Sequence, residues 1–168
     1  MEIKNFEPRL YQINISQTCL KYNTLVVLPT GLGKTKTAIL VSIERLKSYP
    51  NSQILFLTPT KPLASQIEKE FLNNTDIEKV VVLTGEVAPV KREELIKNSI
   101  VIISTPQTIA NDIVNSRIDL KNFSLLVLDE AHRCVKDYDY TWISSQYHKI
   151  SKYARIVGLT ASPGSDKE

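Results

Sequence analysis

Six short runs of branched and leucine residues alternate with segments of helical character, and this alternation limits the possible folds more than any other feature. The runs are continuously apolar, which is typical of strands covered on both faces. Strands that alternate with helices predict a mostly parallel, doubly wound α/β sheet with helices on both faces. The predicted strands are Leu25–Leu28, Ile54–Leu57, Val80–Leu83, Ile100–Ile103, Leu125–Leu128 and Ile156–Leu159.

The segments between these runs carry apolar side chains at helical spacing. After the first run, Ile39, Ile43 and Leu46 share one face, and Pro50 ends the pattern. The predicted helices are Lys34–Lys47, Pro62–Leu72, Pro106–Val114 and Tyr140–Tyr153.

The composition is that of an ordinary soluble domain, with 168 residues of which 42% are hydrophobic and 23% charged. We expect one domain over residues 1–163 and the start of a linker over residues 164–168. No apolar run could span a bilayer and MEIKNFEPRL is no signal peptide, which predicts a cytoplasmic protein without a membrane partner. Cys19 and Cys134 lack metal or disulfide spacing and are expected to be reduced and packed. The net charge of +3 allows a polyanionic partner without requiring one.

Each predicted strand is followed by small, hydroxylated, turn-forming or acidic residues. In order, these sequences are LPTG, LTPT, LTG, STP, LDEAH and LTAS. The carboxyl ends of parallel strands lie at one edge of a sheet, where α/β proteins bind ligands. Turn formation alone would explain any single loop, but six similar loops at one edge predict a functional face.

The first strand leads through Gly31-Leu32-Gly33-Lys34-Thr35 into a helix, which is the context of a phosphate-binding P-loop. Glycines let consecutive N–H groups turn inward, and the helix adds the positive end of its dipole. Lys34 is placed to reach the β- and γ-phosphates of ATP, and the Thr35 hydroxyl to hold Mg²⁺.

The start of this loop departs from the general P-loop pattern, because Leu28 stands where that pattern has glycine. A dinucleotide-binding turn would need glycine at Lys36 and is therefore set aside. A simple glycine turn followed by a chance Lys-Thr pair is the remaining alternative for this segment.

Two acids, Asp129 and Glu130, follow the buried run LLVL. Asp129 is placed to hold Mg²⁺ through water, and Glu130 to orient and deprotonate the attacking water. Such a pair is alternatively a helix cap with a favourable first-turn charge. Together with the P-loop, however, it predicts a catalytic ATPase site.

Five segments in order, PTGLGKT, LTPTKPLASQ, STPQTI, LDEAH and GLTASPGSD, resemble motifs I, Ia, Ib, II and III of superfamily-two helicases. KPLASQ, TPQTIANDI and GLTASPGS most resemble the archaeal Hef and eukaryotic FANCM branch, which is related to Dicer and RIG-I-like RNA-dependent ATPases. The resemblance implies the first RecA-like P-loop NTPase domain of a DEAH-type, ATP-dependent helicase. It also implies action on forked or branched DNA in repair or replication restart, with RNA as the alternative.

The resemblance further implies which residues bind ATP and couple it to movement. Adenine would be recognised by Arg9, through stacking, and by Gln12, whose amide can both donate and accept. His132, Thr160 and Ser162 would couple the ATP site to the nucleic-acid site. The implied phosphate loop comprises Pro29, Thr30, Gly31, Leu32, Gly33, Lys34 and Thr35.

The loops after the second, third and fourth strands are implied to hold one nucleic-acid strand. Hydroxyls and helix N-terminal N–H groups contact phosphate oxygens without reading bases, as a motor that crosses any sequence requires. Helix caps and turns that serve only the fold are the alternative. The residues implied are Thr58, Pro59, Thr60, Lys61, Thr84, Gly85, Thr105, Pro106, Gln107 and Thr108.

The resemblance finally implies a second RecA-like domain of the same protein, whose arginines would reach the γ-phosphate. The isolated chain is therefore expected to be a monomer that is nearly inactive. A kinase or small-molecule ATPase would not need the LTPT and STPQ loops. A non-catalytic nucleotide-dependent clamp would not need Lys34, Thr35, Asp129 and Glu130 all to be present.

Overall fold

The six apolar runs form one parallel sheet in the computed structural model of the chain. The structure describes residues 1–135 and 137–161, with residues 134 and 135 described by their backbone alone. Ser162 and the predicted linker at 164–168 therefore lie outside the described residues. The spatial order is β1-β6-β5-β2-β4-β3, all pairs being parallel. The strands are β1 Thr24–Leu28, β2 Gln53–Leu57, β3 Val80–Leu83, β4 Val101–Ser104, β5 Phe123–Asp129 and β6 Ile156–Ala161.

Helices cover the two faces of this sheet. Side chains of α1, α2 and α3 form one apolar cluster with the strands, and those of α4, α5 and α6 form a second cluster on the opposite face. This is the predicted doubly wound arrangement. The helices are α1 Leu10–Lys21, α2 Lys34–Ser48, α3 Lys61–Asn74, α4 Pro89–Asn98, α5 Pro106–Val114 and α6 Tyr138–Ile150, and 3₁₀ turns span Leu120–Asn122 and Ala131–Val135.

All six predicted strands are confirmed, with ends that differ by two residues at most. The four predicted helices are also present, but the last one starts and ends earlier than the predicted Tyr140–Tyr153. Asp137 caps its start by accepting a hydrogen bond from the Asp139 amide at 3.0 Å, and Ser151 takes an extended conformation after its end. The sequence did not predict α4, and it suggested no bounds for α1.

The prediction that every strand is covered on both faces is wrong for β1. This strand lies at the edge of the sheet, beside β6 alone. Val26 is buried, whereas Leu25 and Val27 on the other face are 60% and 45% exposed. The apolar cluster on that face contains side chains from the inner strands but none from β1. An apolar run alone does not distinguish an edge strand from a central one.

Two further expectations concern membranes and cysteines. Between residues 1 and 161, wherever the structure describes the chain, no helix is long and apolar enough to cross a bilayer. Cys19 is a free thiol, fully buried in α1, and burial raises its pKa. It is packed as predicted, while the side chain of Cys134 lies outside the described residues.

Candidate ATP and nucleic-acid site

The loop between β1 and α2 has a backbone that requires glycine at two positions. Gly31 and Gly33 have φ angles of 88° and 74°, a left-handed region that is costly for residues with a Cβ. A Cβ on Gly33 would also lie 2.6 Å from the Gln12 amide nitrogen. Gly33 forms the N-cap of α2, and its carbonyl accepts a hydrogen bond from the Thr37 amide at 3.0 Å. The loop is therefore built to present the start of a helix.

Lys34 and Thr35 are the first two residues of α2, and both are partly exposed. The first turn of this helix contains no acidic residue. Its free N–H groups and positive dipole end therefore face no competing carboxylate from the same turn, which suits a phosphate. This is the geometry that the P-loop prediction requires.

The start of α1 is fastened to the same loop. The Tyr11 hydroxyl donates to the Leu32 carbonyl at 2.7 Å. Gln12 is 4% exposed, accepts from the Arg9 amide at 2.9 Å and donates to the Gly33 carbonyl at 3.5 Å. Arg9 itself is exposed. The structure thus brings Arg9 and Gln12 beside the P-loop, and their role in binding adenine stays a prediction.

The predicted acids lie at the carboxyl end of β5, which pairs directly with β6. The Tyr140 hydroxyl donates to the Asp129 carbonyl at 2.9 Å and fixes the backbone at this point. Glu130 has a φ of 55°, a conformation that costs a residue other than glycine about 1–2 kcal/mol. Such backbone strain is concentrated at functional sites.

The Asp129 carboxylate is poorly solvated. Burial raises its pKa; the hydrogen bond from Thr58 lowers it, the charge of Glu130 raises it further, and the charge of Lys34 lowers it. Lys34 therefore lies close enough to act on the acid electrostatically, although it belongs to a different loop. A half-buried carboxylate with a raised pKa gains from a cation placed beside it.

Thr58 is fully buried, and its hydroxyl donates to the Asp129 carboxylate at 3.0 Å. It was predicted to contact nucleic acid, but it has no exposed surface that a strand could touch. The exposed residues of that loop are Thr60 and Lys61, and Pro59 is partly exposed. Thr58 thus lies between the predicted track and the predicted metal site.

His132 connects the acids to β6. Its Nδ1 lies 3.0 Å from the Thr160 hydroxyl, and its Nε2 lies 3.5 Å from the Glu130 carboxylate. Two of the three predicted coupling residues, His132 and Thr160, are therefore in contact with each other, and His132 also contacts the predicted base. Their part in coupling stays a prediction, and Ser162 lies outside the described residues.

The predicted nucleic-acid loops start two helices on the same edge of the sheet. The Thr60 hydroxyl caps α3 by accepting from the Leu63 amide at 3.4 Å. The Thr105 hydroxyl, at the N-cap of α5, lies 3.1 Å from that of Thr108. The capping alternative is therefore correct for Thr60, and it does not exclude contact with phosphate.

An ion pair joins the loop after β3 to the loop after β2. Lys61 forms an ion pair with Glu86, which follows the Thr84-Gly85 turn. The Thr84 hydroxyl accepts from the Glu86 amide at 3.3 Å. Both charged side chains are more than half exposed, so the pair is accessible to a competing phosphate.

A cavity of about 630 Å³ lies between Gln107, at the start of α5, and the 3₁₀ turn that follows the acids. Gln107 lies on one side, and His132, Arg133, Asp137 and Tyr138 complete the lining. Gln107 is exposed, while Pro106 and Thr108 of the same helix are buried. The motifs did not single out Arg133 or Tyr138, because their position depends on the 3₁₀ turn after the acids.

The side-chain oxygens of this site suit Mg²⁺ better than a metal ion whose ligands all come from the protein. Among residues 1–135 and 137–161, no group of three or more His, Cys, Asp or Glu side chains could hold a metal ion. Mg²⁺ usually takes one or two protein oxygens and completes its shell with phosphate and water. One carboxylate, Asp129, and one hydroxyl, Thr35, match that requirement.

Known proteins resemble this chain over nearly its whole length. A family model described as DEAD/DEAH box helicase matches residues 9–168. "Putative ATP-dependent RNA helicase MJ1505" of Methanocaldococcus jannaschii is 44% identical over 165 residues, which are 97% of this chain and 21% of that protein. "ATP-dependent DNA helicase MPH1" of Pyricularia oryzae is 43% identical over 162 residues, which are 95% of this chain and 15% of that protein.

A solved structure shares the fold. The crystal structure of the Pyrococcus furiosus Hef helicase domain is 45% identical, with a TM-score of 0.88 over 95% of this chain and 34% of that one. The chain spans 21% or less of the two curated relatives described above. Its sheet order, its P-loop and its acidic strand end are those of a RecA-like helicase domain, and the family model covers nearly all of it. The chain belongs to the DEAD/DEAH box helicase family.

Proposed function

We propose that this chain is the ATP-binding half of an ATP-dependent helicase or translocase that acts on DNA. The observation that carries the proposal is that the P-loop with Lys34 and the acids Asp129 and Glu130 follow β1 and β5 at the same edge of one parallel sheet. The names of the Pyricularia oryzae and Pyrococcus furiosus relatives support a helicase, and the first of them names DNA.

The proposed chemistry assigns one task to each group. Lys34 and the N–H groups of the loop bind the β- and γ-phosphates, and Arg9 and Gln12 recognise adenine. Thr35 and Asp129 would hold Mg²⁺, which neutralises charge on the phosphates when it is bound. Glu130 orients a water molecule and accepts its proton.

The nucleic-acid strand would lie across the loops that start α3 and α5. Helix N-termini and hydroxyls contact phosphate oxygens, so binding is independent of base sequence. The residues proposed at the surface of this track are Pro59, Thr60, Lys61, Thr84, Gly85, Thr105 and Gln107. The predicted residues Thr58, Pro106 and Thr108 are buried and would support the track without touching the strand.

A second RecA-like domain of the same protein would complete the site. Lys34, Asp129 and Glu130 come from one side of the nucleotide, and the charge that develops on the γ-phosphate requires cations from the other side. His132, Thr160 and Ser162 would report the state of ATP to the track. We propose a cytoplasmic, nucleoid-associated protein that acts on forked or branched DNA in repair or replication restart.

RNA is the second candidate substrate. The Methanocaldococcus jannaschii relative carries RNA helicase in its name. Contacts to phosphate alone do not distinguish the two nucleic acids, because the 2′-hydroxyl is what identifies RNA at a given position.

The test is an ATPase assay of the full-length protein with forked DNA, single-stranded DNA and duplex RNA side by side. The proposal expects the largest stimulation with forked DNA. Stimulation by duplex RNA alone would transfer the function to RNA, and no stimulation by any of the three would contradict a nucleic-acid motor. Glu130→Gln protein purified in parallel measures contaminating ATPase activity.

A further inference from the structure

A line of hydrogen bonds crosses the carboxyl ends of four neighbouring strands. The Thr58 hydroxyl donates to Asp129 Oδ2 at 3.0 Å, and the Thr58 amide donates to the Ser104 carbonyl at 3.0 Å. The Ser104 hydroxyl in turn donates to the Leu83 carbonyl at 2.8 Å. The line therefore runs through β5, β2, β4 and β3, which are adjacent in the sheet.

Each member of the line at the ends of β2, β4 and β3 borders a predicted nucleic-acid loop. Leu83 precedes the Thr84-Gly85 turn, Ser104 precedes the Thr105 cap of α5, and Thr58, directly after β2, begins the loop that starts α3. The far end is the carboxylate predicted to hold the metal. One hydrogen-bonded line thus touches all three loops and the ATP site.

Burial makes it costly to break any single hydrogen bond of this line. Thr58, Ser104 and Leu83 have no exposed surface. A buried donor or acceptor that loses its partner is costly because no water replaces it. A shift of one loop is therefore expected to shift the next member rather than to open a gap.

We infer that this line couples occupation of the nucleic-acid loops to the position of the Asp129 carboxylate, with Thr58 and Ser104 as positioning residues. The inference rests on the proposed function, since it takes the three loops to hold a strand. It is separate from the contact of His132 with Thr160, which leads to Glu130 rather than to Asp129.

The experiment measures coupling directly, without ATP hydrolysis. The affinity of the full-length protein for a labelled single-stranded DNA oligonucleotide is determined with and without Mg²⁺ and a non-hydrolysable ATP analogue. The ratio of the two affinities is the coupling factor, and it is the same whichever ligand binds first. Thr58→Val removes the hydroxyl but keeps the shape, Thr58→Ser keeps the hydroxyl, and Ser104→Ala removes the donor to Leu83.

Thr58→Val is expected to bring the coupling factor about two- to tenfold closer to one, the effect of one hydrogen bond. Thr58→Ser is expected to restore most of the wild-type factor, and Ser104→Ala to reduce it. In the Thr58→Val, Ser104→Ala double variant the losses should be less than additive, because both residues act on one line. A purely structural role would lower the melting temperature without this pattern.

A wild-type coupling factor in folded Thr58→Val protein overturns the inference. If that variant does not fold, Ser104→Ala decides alone, and an unchanged factor there overturns it equally. DNA binding that does not respond to nucleotide in the wild type overturns the inference but not the motor. Absence of any DNA or RNA binding overturns the proposed function as well.

Discussion

Lys34 is the residue on which we propose that triphosphate binding depends most. It begins a helix whose first turn carries no acid, and its charge acts on Asp129 across the site. Lys34→Ala should weaken ATP binding about ten- to a hundredfold, the usual effect of losing a hydrogen bond to a charged group. Calorimetry of ATP–Mg²⁺ binding measures it.

The control for this variant is Lys36→Ala in the same helix, where the lysine nitrogen lies 5.4 Å from the centre of the Phe6 ring. It removes an equal charge within one turn and should change ATP affinity much less. Equal losses in the two variants would mean that the effect comes from general charge and not from a P-loop lysine.

Glu130 and Asp129 should separate hydrolysis from binding. Glu130→Gln in the full-length protein keeps the side-chain shape but cannot take a proton, so ATP should bind normally while turnover falls about 10²- to 10⁴-fold. Asp129→Asn should instead weaken the Mg²⁺-dependent part of binding. Parallel binding and turnover measurements distinguish the two, and wild-type turnover in Glu130→Gln protein would refute its role as base.

Glu86 is placed to restrain nucleic-acid binding. Its carboxylate pairs with Lys61, and an incoming phosphate must displace it. Glu86→Gln removes one negative charge from the track and frees the lysine, so single-stranded DNA should bind a few-fold more tightly at low salt. Fluorescence anisotropy over a salt series measures this gain, which should shrink as salt rises. Unchanged or weaker binding would show that Lys61 does not face the strand.

Among the helices and strands, the sequence predicted the elements whose buried face is mainly apolar, and it gave no bounds for α1 and missed α4, whose buried faces are partly polar. The buried residues of α1 are Gln12, Ser16 and Cys19, and those of α4 are Arg92 and Ile96. A search for apolar spacing cannot detect a helix whose packed face is largely polar. The partners that make such burial tolerable lie far away in sequence.

The residues of the candidate site likewise divide into those that local sequence predicts and those that it does not. Residues with roles set by local sequence, such as Lys34 in its glycine loop, could be predicted. The contact of Thr58 with Asp129 joins residues 71 positions apart and exists only because β2 and β5 are neighbours. Nothing in either motif indicates that Thr58 faces inward.

The buried polar residues of α4 allow the strongest test of how this helix packs against α5. The Arg92 guanidinium holds the Asp112 carboxylate at 2.9–3.2 Å and donates to the Val87 carbonyl. Asp112 is fully buried and also pairs with Arg117 at 2.7 Å. Arg92→Met should therefore lower the free energy of unfolding by about 3 kcal/mol, because it leaves a buried charge incompletely paired.

Urea unfolding of the chain measures this loss, and Lys91→Met is the matched control. Lys91 is exposed and, among the residues that the structure describes, pairs only with Glu94 on the same helix, at 3.5 Å. Its replacement should cost no more than about 0.5 kcal/mol. Similar losses at both positions would mean that the buried ion cluster does not fasten α4 to α5.

For the molecule as a whole, the proposed function makes the described residues one wall of an ATP site. The P-loop, the acids and the track loops share the carboxyl edge of a single sheet. One domain can bind nucleotide and hold a strand, but stepping requires two domains that close and open around ATP. Without the proposed second domain, part of a bound nucleotide would stay open to water, which would weaken the electrostatic contacts in the site.

Turnover of the isolated 168-residue chain, measured with and without forked DNA beside the full-length protein, is the decisive measurement for the two-domain proposal. The short chain is expected to bind ATP but to hydrolyse it very slowly and without response to DNA, while the full-length protein is strongly stimulated. Robust DNA-stimulated turnover by the short chain alone would contradict this proposal, because the missing cations would then have to come from this sequence or from a second copy of it.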